Sequence, residues 1–61
     1  MNILGFDIET YKEHFCFVGV LFDSTTKREI KRTTITDIAG SLTLPQFDKI
    51  AECFENCDYT S

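Results

Sequence analysis

Ile3-Leu4-Gly5-Phe6-Asp7-Ile8-Glu9-Thr10, close to the amino terminus of a 61-residue chain, is apolar on both alternating sets of positions except at Asp7 and Glu9. Such a run predicts a central β-strand covered on both faces, because a strand with one wet face alternates cleanly between apolar and polar residues. The two carboxylates intrude on that pattern. They are two residues apart, so both side chains leave the same face of the strand. With a rise of ~3.3 Å per residue, their origins lie roughly 6.5–7 Å apart.

Reading outward from this strand, Tyr11 to His14 is a polar break, and Phe15-Cys16-Phe17-Val18-Gly19-Val20-Leu21-Phe22 is a second strand rich in aromatic and β-branched residues. Asp23-Ser24-Thr25-Thr26-Lys27 has turn composition without an Asn-Gly or Asp-Gly pair, which predicts a loose hairpin. Arg28 to Thr36 mixes β formers with charges, as an edge strand does to discourage pairing with other chains. Asp37 to Ser41 reads as a connection. Thr43-Leu44-Pro45-Gln46 then has the Thr-x-x-Gln spacing of a capping box, with Pro in the first turn where its missing N–H is harmless. Phe47, Ile50, Ala51 and Phe54 follow at i, i+3, i+4 and i+7, the apolar stripe of an amphipathic helix. The expectation is one α+β domain over residues 1–61, with strands at 2–10, 15–23 and 28–36 and a helix at 44–57. The three strands form an antiparallel sheet in the order β-β-β-α, and Tyr59-Thr60-Ser61 reads as the start of a further element.

Composition bounds the function. Apolar residues make up 43% of the chain and charged residues 26%, which is globular rather than disordered. No run approaches the ~20 apolar residues of a membrane span, and the first residues do not form a signal peptide, so a cytoplasmic protein with no membrane partner is expected. Three cysteines, Cys16, Cys53 and Cys57, have the wrong parity for a paired disulfide framework, in keeping with a reducing compartment. The net charge of −4 is unfavourable for gripping phosphates at long range. It is unevenly spread: residues 1–22 carry −2, residues 23–36 carry +2 and the remainder −4.

Asp7 and Glu9 are the candidate site. Two strand-borne carboxylates reach one hard cation between them, and Mg²⁺ takes oxygen ligands while retaining water or substrate phosphate. Inside an apolar strand the pair needs such a partner, because unpaired buried carboxylates are costly and repel each other. The bland alternative is that the strand emerges into solvent and both acids are simply exposed.

Phe6-Asp7-Ile8-Glu9-Thr10, at the end of an apolar amino-terminal strand, resembles the first motif of DEDD-type (DnaQ-like) 3′–5′ exonucleases, in particular the proofreading domains of DNA polymerases, phage enzymes included. That family has a ribonuclease H-like fold, in which two more antiparallel strands and a helix follow the motif strand. The resemblance implies that Asp7 ligates both of two divalent ions, Mg²⁺ or Mn²⁺, and Glu9 one of them, for in-line displacement at the 3′ end of single-stranded DNA. It places Ile8 and Thr10 near the terminal nucleotide. The family also requires two further Asp residues and a Tyr or His from later motifs, all beyond the helix at which this chain stops. What is implied is therefore an amino-terminal portion of a truncated exonuclease domain, in the host cytoplasm if phage-encoded, completed by the remainder of the polymerase and inactive alone.

The other features have plainer readings. His14 is a candidate base or ligand, or an exposed residue between strands. Cys53 and Cys57 lack Cys-x-x-Cys spacing and read as half-buried thiols. Lys27, Arg28, Lys31 and Arg32 form the one basic patch, suited either to phosphate or to edge protection. The six Phe residues read mostly as packing. The rival function is a small non-catalytic regulatory protein that binds a partner through its sheet, and one uncovered sheet face predicts self-association.

Overall fold

The computed structural model describes residues 1–61: strands β1 (Asn2–Tyr11), β2 (His14–Asp23) and β3 (Arg28–Ile38), a 3₁₀ turn (Ala39–Ser41), helix α1 (Leu44–Glu55) and a short strand β4 (Tyr59–Thr60). The fold is α+β, with one four-stranded mixed sheet in the order β3-β2-β1-β4. β1, β2 and β3 are antiparallel, and β4 lies parallel to β1 opposite Ile3 and Leu4. The expected three-stranded sheet thus gains a fourth member from the carboxy-terminal residues. A parallel partner needs a crossover, and α1 supplies it. The returning chain is tied at the start of β1: the Asp58 N–H donates to the Asn2 carbonyl (2.7 Å) and the Ser61 N–H to the Leu4 carbonyl (2.9 Å). The Asp58 carboxylate accepts from the Asn2 N–H at 2.8 Å.

The strands run slightly longer than the sequence suggests. The polar break after β1 shrinks to Lys12 and Glu13, because Tyr11 and His14 already pair across the hairpin. Lys12, at φ 55°, takes the left-handed conformation that lets so short a turn close. The β2–β3 turn is held by Asp23, whose carboxylate accepts from the Thr25 N–H (3.0 Å), the Thr26 hydroxyl (3.3 Å) and the amino-terminal ammonium (3.3 Å).

The capping box forms. The Thr43 hydroxyl accepts from the Gln46 N–H (3.4 Å), and Gln46 Oε1 accepts from the Thr43 N–H (2.8 Å). Gln46 Nε2 also donates to the Asp37 carboxylate at 3.2 Å, tying the start of the helix to the end of β3. At its other end α1 stops at Glu55 rather than at 57, since Asp58 is drawn away to β1.

Alternation assigns each face of the sheet. Leu4, Phe6, Ile8 and Thr10 of β1 share a face with Phe15, Phe17, Gly19 and Leu21 of β2 and with Ile35 of β3. α1 lies on this face, where Leu4, Phe17, Leu21 and Ile35 form the buried core. The rings of Phe6, Phe17 and Phe54 meet there, with Phe6 and Phe54 edge to face at 5.0 Å. Gly19 lets the helix approach: a Cβ at this position would stand 3.1 Å from the Phe17 ring and 3.4 Å from Cys53 Sγ. This seat rotates α1 away from the expected stripe. Gln46, Ile50, Cys53 and Cys57 are the half-buried positions of the segment, while Phe47 and Ala51 are exposed. No helix is long and apolar enough to cross a membrane.

Two of the polar ties respond to pH. The Ile38 N–H, and then the Gln46 side chain, hold the Asp37 carboxyl below the usual 3.8. The Thr25 N–H does the same for Asp23, aided by the amino terminus and opposed by partial desolvation. Both groups bind protons less tightly in the folded state, so their stabilisation is complete above the unfolded value and is lost as pH falls through the folded ones. The urea midpoint is expected to hold steady from pH 7 to 5 and to fall below about pH 4. Replacing both residues with Asn should flatten that fall, and an equally steep profile in the double variant would contradict the assignment.

Candidate functional site

Asp7 and Glu9 lie on the face of β1 opposite α1, with Val18 and Cys16 as their cross-strand partners. Both are exposed. The expectation of a central strand covered on both faces is corrected here in two respects. Only one face carries a helix, and beyond Leu4 the strand has no neighbour on its β4 side. The acids therefore stand in water without the desolvation cost that would by itself demand a cation. What persists is their shared direction: two carboxylates at i and i+2 on an open face, a partial oxygen-ligand set for a divalent ion.

The rest of that face is set by the hairpin. Cys16 stands opposite Glu9 and His14 opposite Tyr11, so His14 is the first residue of β2 rather than part of a loop. Glu9, Tyr11, His14 and Cys16 contribute to an open hollow of about 160 Å³, together with Thr10 and Phe15. Cys16 Sγ accepts from the Thr36 hydroxyl at 3.9 Å. Nothing in the sequence placed His14 and Cys16 beside Glu9 until the hairpin register was known. A two-residue turn is the signal that would have done so. No three His, Cys, Asp or Glu side chains come together closely enough to hold a metal ion. Ligands beyond Asp7 and Glu9 would have to come from water, substrate or another polypeptide.

The remaining candidates separate. Ile8 and Thr10 project to the opposite face, the one that carries α1, with Ile8 paired to Phe17 and Thr10 to Phe15. Asp58 accepts from the Asn2 N–H, five residues and about 16 Å along β1 from Asp7, so it serves the β1–β4 junction. Within the basic patch, Lys31 pairs with Glu52 (3.7 Å) and Arg32 with Glu29 (2.7 Å). Lys31, Arg32 and Lys49 border an open polar groove of about 390 Å³ between β3 and α1. Cys16, Cys53 and Cys57 are free and half-buried.

No family model, curated protein or solved structure matches this chain.

Proposed function

We propose that the chain is the amino-terminal portion of a metal-dependent 3′–5′ exonuclease domain of the kind that proofreads for DNA polymerases. Asp7 and Glu9 would hold Mg²⁺ or Mn²⁺, and the single-stranded 3′ end of DNA would be the substrate. The observation that carries this reading is the common direction of the two carboxylates on the open face of β1. The order of elements lends support: three antiparallel strands, a helix, and then a strand beginning beside the motif strand. A divalent ion held by the pair supplies Lewis acidity at a phosphodiester and lowers the pKa of bound water. The chain's own residues contribute negative charge and oxygen donors at fixed spacing. Two carboxylates provide half of such a site, so hydrolysis by this chain alone should be negligible.

Mn²⁺ titration followed by NMR tests the site directly. Paramagnetic broadening is expected to begin at residues 6–10 and at their partners 15–19 on β2. Asp7→Asn with Glu9→Gln should abolish it. Broadening that spreads evenly over all ten acidic residues, or that survives the double substitution, would rule out a site at this pair. Robust Mg²⁺-dependent release of nucleotides from a 3′ end by the isolated chain would refute the half-site reading.

A further inference from the structure

The groove between β3 and α1 is separated from Asp7 and Glu9 by the width of β2. It is open, about 390 Å³, and is bordered by Lys31, Arg32, Thr33, Thr34, Lys49 and Glu52, with no hydrophobic residue among them. Strand alternation puts Lys31 and Thr33 on the face that carries α1, and Arg32 and Thr34 on the other, so the groove follows the outer margin of β3. Lys49 and Glu52 stand one helical turn apart on α1 and form the far wall. β4, where the chain returns to the sheet, lies at the other edge.

Three cations border this groove against one carboxylate, in a chain whose net charge is −4. At physiological salt the Debye length is about 8 Å, so charges on the groove walls outweigh acids elsewhere on the surface. Lys49 enters no ion pair. Lys31 lies 3.7 Å from Glu52 and Arg32 lies 2.7 Å from Glu29, but all four side chains are half exposed, and such surface pairs are worth only about 0–1 kcal/mol. An incoming anion displaces them at little cost. Thr33 and Thr34 add hydroxyl donors between the cations.

We propose that this groove holds the sugar–phosphate backbone of a single-stranded nucleic acid and does not read its bases. Cations and hydroxyls are the groups that position a strand by its phosphates, and the Arg32 guanidinium can take one phosphate bidentately. A partner protein would need apolar or aromatic anchors at the centre of its interface, and the groove offers none. For the same reason no base can stack there. The volume is that of a site for one drug-sized molecule, ~300–1,000 Å³, so it seats roughly one nucleotide of a strand together with its flanking phosphates. The groove and the carboxylate pair are separate sites, and neither depends on the other.

Fluorescence anisotropy of a labelled oligodeoxythymidylate, titrated with the full chain in EDTA, tests this without any contribution from divalent ions at Asp7 and Glu9. The dissociation constant is expected near ~10⁻⁴ M and should rise about 7- to 18-fold between about 50 and 200 mM salt, the dependence for two to three phosphates at a slope of ~0.7 each. Oligodeoxyadenylate should bind within about twofold of the same value. Amide NMR shifts should centre on residues 31–34, 49 and 52. Lys49→Gln is expected to weaken binding about three- to fivefold and to flatten the salt slope by about 0.7, and adding Lys31→Gln should deepen the loss to roughly tenfold. Lys12→Gln makes the same charge change at the β1–β2 turn and should stay within about twofold of the parent chain. Glu52→Gln should tighten binding about two- to fivefold, a gain that misfolding cannot imitate. No binding by the parent chain, shifts centred elsewhere, or equal losses from Lys12→Gln and Lys49→Gln would each overturn the proposal. Polyglutamate or inorganic phosphate binding as tightly as the strand would do so too, marking the groove as a site for an acidic protein or for a free anion.

Discussion

Phe17→Ala is expected to abolish folding at 25 °C, leaving a chain with no cooperative thermal transition by circular dichroism. Phe17 is 0% exposed, stands between Ile8 and Ile35 in the sheet, and touches the rings of Phe6 and Phe54. Truncating a buried Phe to Ala costs about 3–5 kcal/mol, through lost transfer free energy and the cavity left behind. A single core in a chain below about 70 residues rarely supplies more than ~3–5 kcal/mol in total. The substitution therefore removes a quantity comparable to the whole stability. Phe17→Leu retains most of the volume and should fold with a loss of about 1–2 kcal/mol. If Phe17→Ala melted cooperatively within a few degrees of the parent chain, the core could not be centred where β2 passes beneath Phe54.

The second large effect is expected from a single added methyl group at Gly19. Its Cβ would sit 3.1 Å from two atoms of the Phe17 ring. That ring has little freedom to yield, since Phe6 and Phe54 pack against it and it is fully buried. On the other side stands Cys53 Sγ at 3.4 Å, so relief in that direction requires α1 to lift from the sheet. Overpacking of this kind costs about 1–3 kcal/mol, while replacing Gly in a strand recovers ~0.5–1 kcal/mol of chain entropy. The net expectation for Gly19→Ala is a destabilisation of about 1–2 kcal/mol, read as a lower urea midpoint at unchanged slope. Gly40→Ala is the matched control. Nothing lies within 4 Å of its added Cβ, so its midpoint should stay or rise slightly. Equal effects at the two glycines would show that close approach of helix to sheet is not what Gly19 provides.

Features governed by near neighbours in sequence were legible in advance. Thr43 and Gln46 cap the helix as their spacing predicts, because a capping box closes within four residues. The three long strands lie where their apolar and β-branched runs fall. Asp7 and Glu9 share a face because strand periodicity requires it. The rotation of α1 was not legible. Phe47 and Ala51 belong to the most apolar stripe of that segment, yet Cys53 and Gln46 turn toward the sheet, since Gly19 leaves room for one and Asp37 offers a bond to the other. β4 was equally hidden: Tyr59 and Thr60 form a strand only because Asn2 and Leu4 present carbonyls to the returning chain.

The sequence by itself determined the kinds of elements, their order and the common direction of the two carboxylates, all of which follow from periodicities a few residues long. Only the tertiary structure decided that those carboxylates stand exposed on the face opposite α1 and that the chain returns as β4 beside the start of β1. Burial and edge pairing depend on which distant segments come to cover a strand. α1 settles over β2 and β3, and β4 pairs with Ile3 and Leu4.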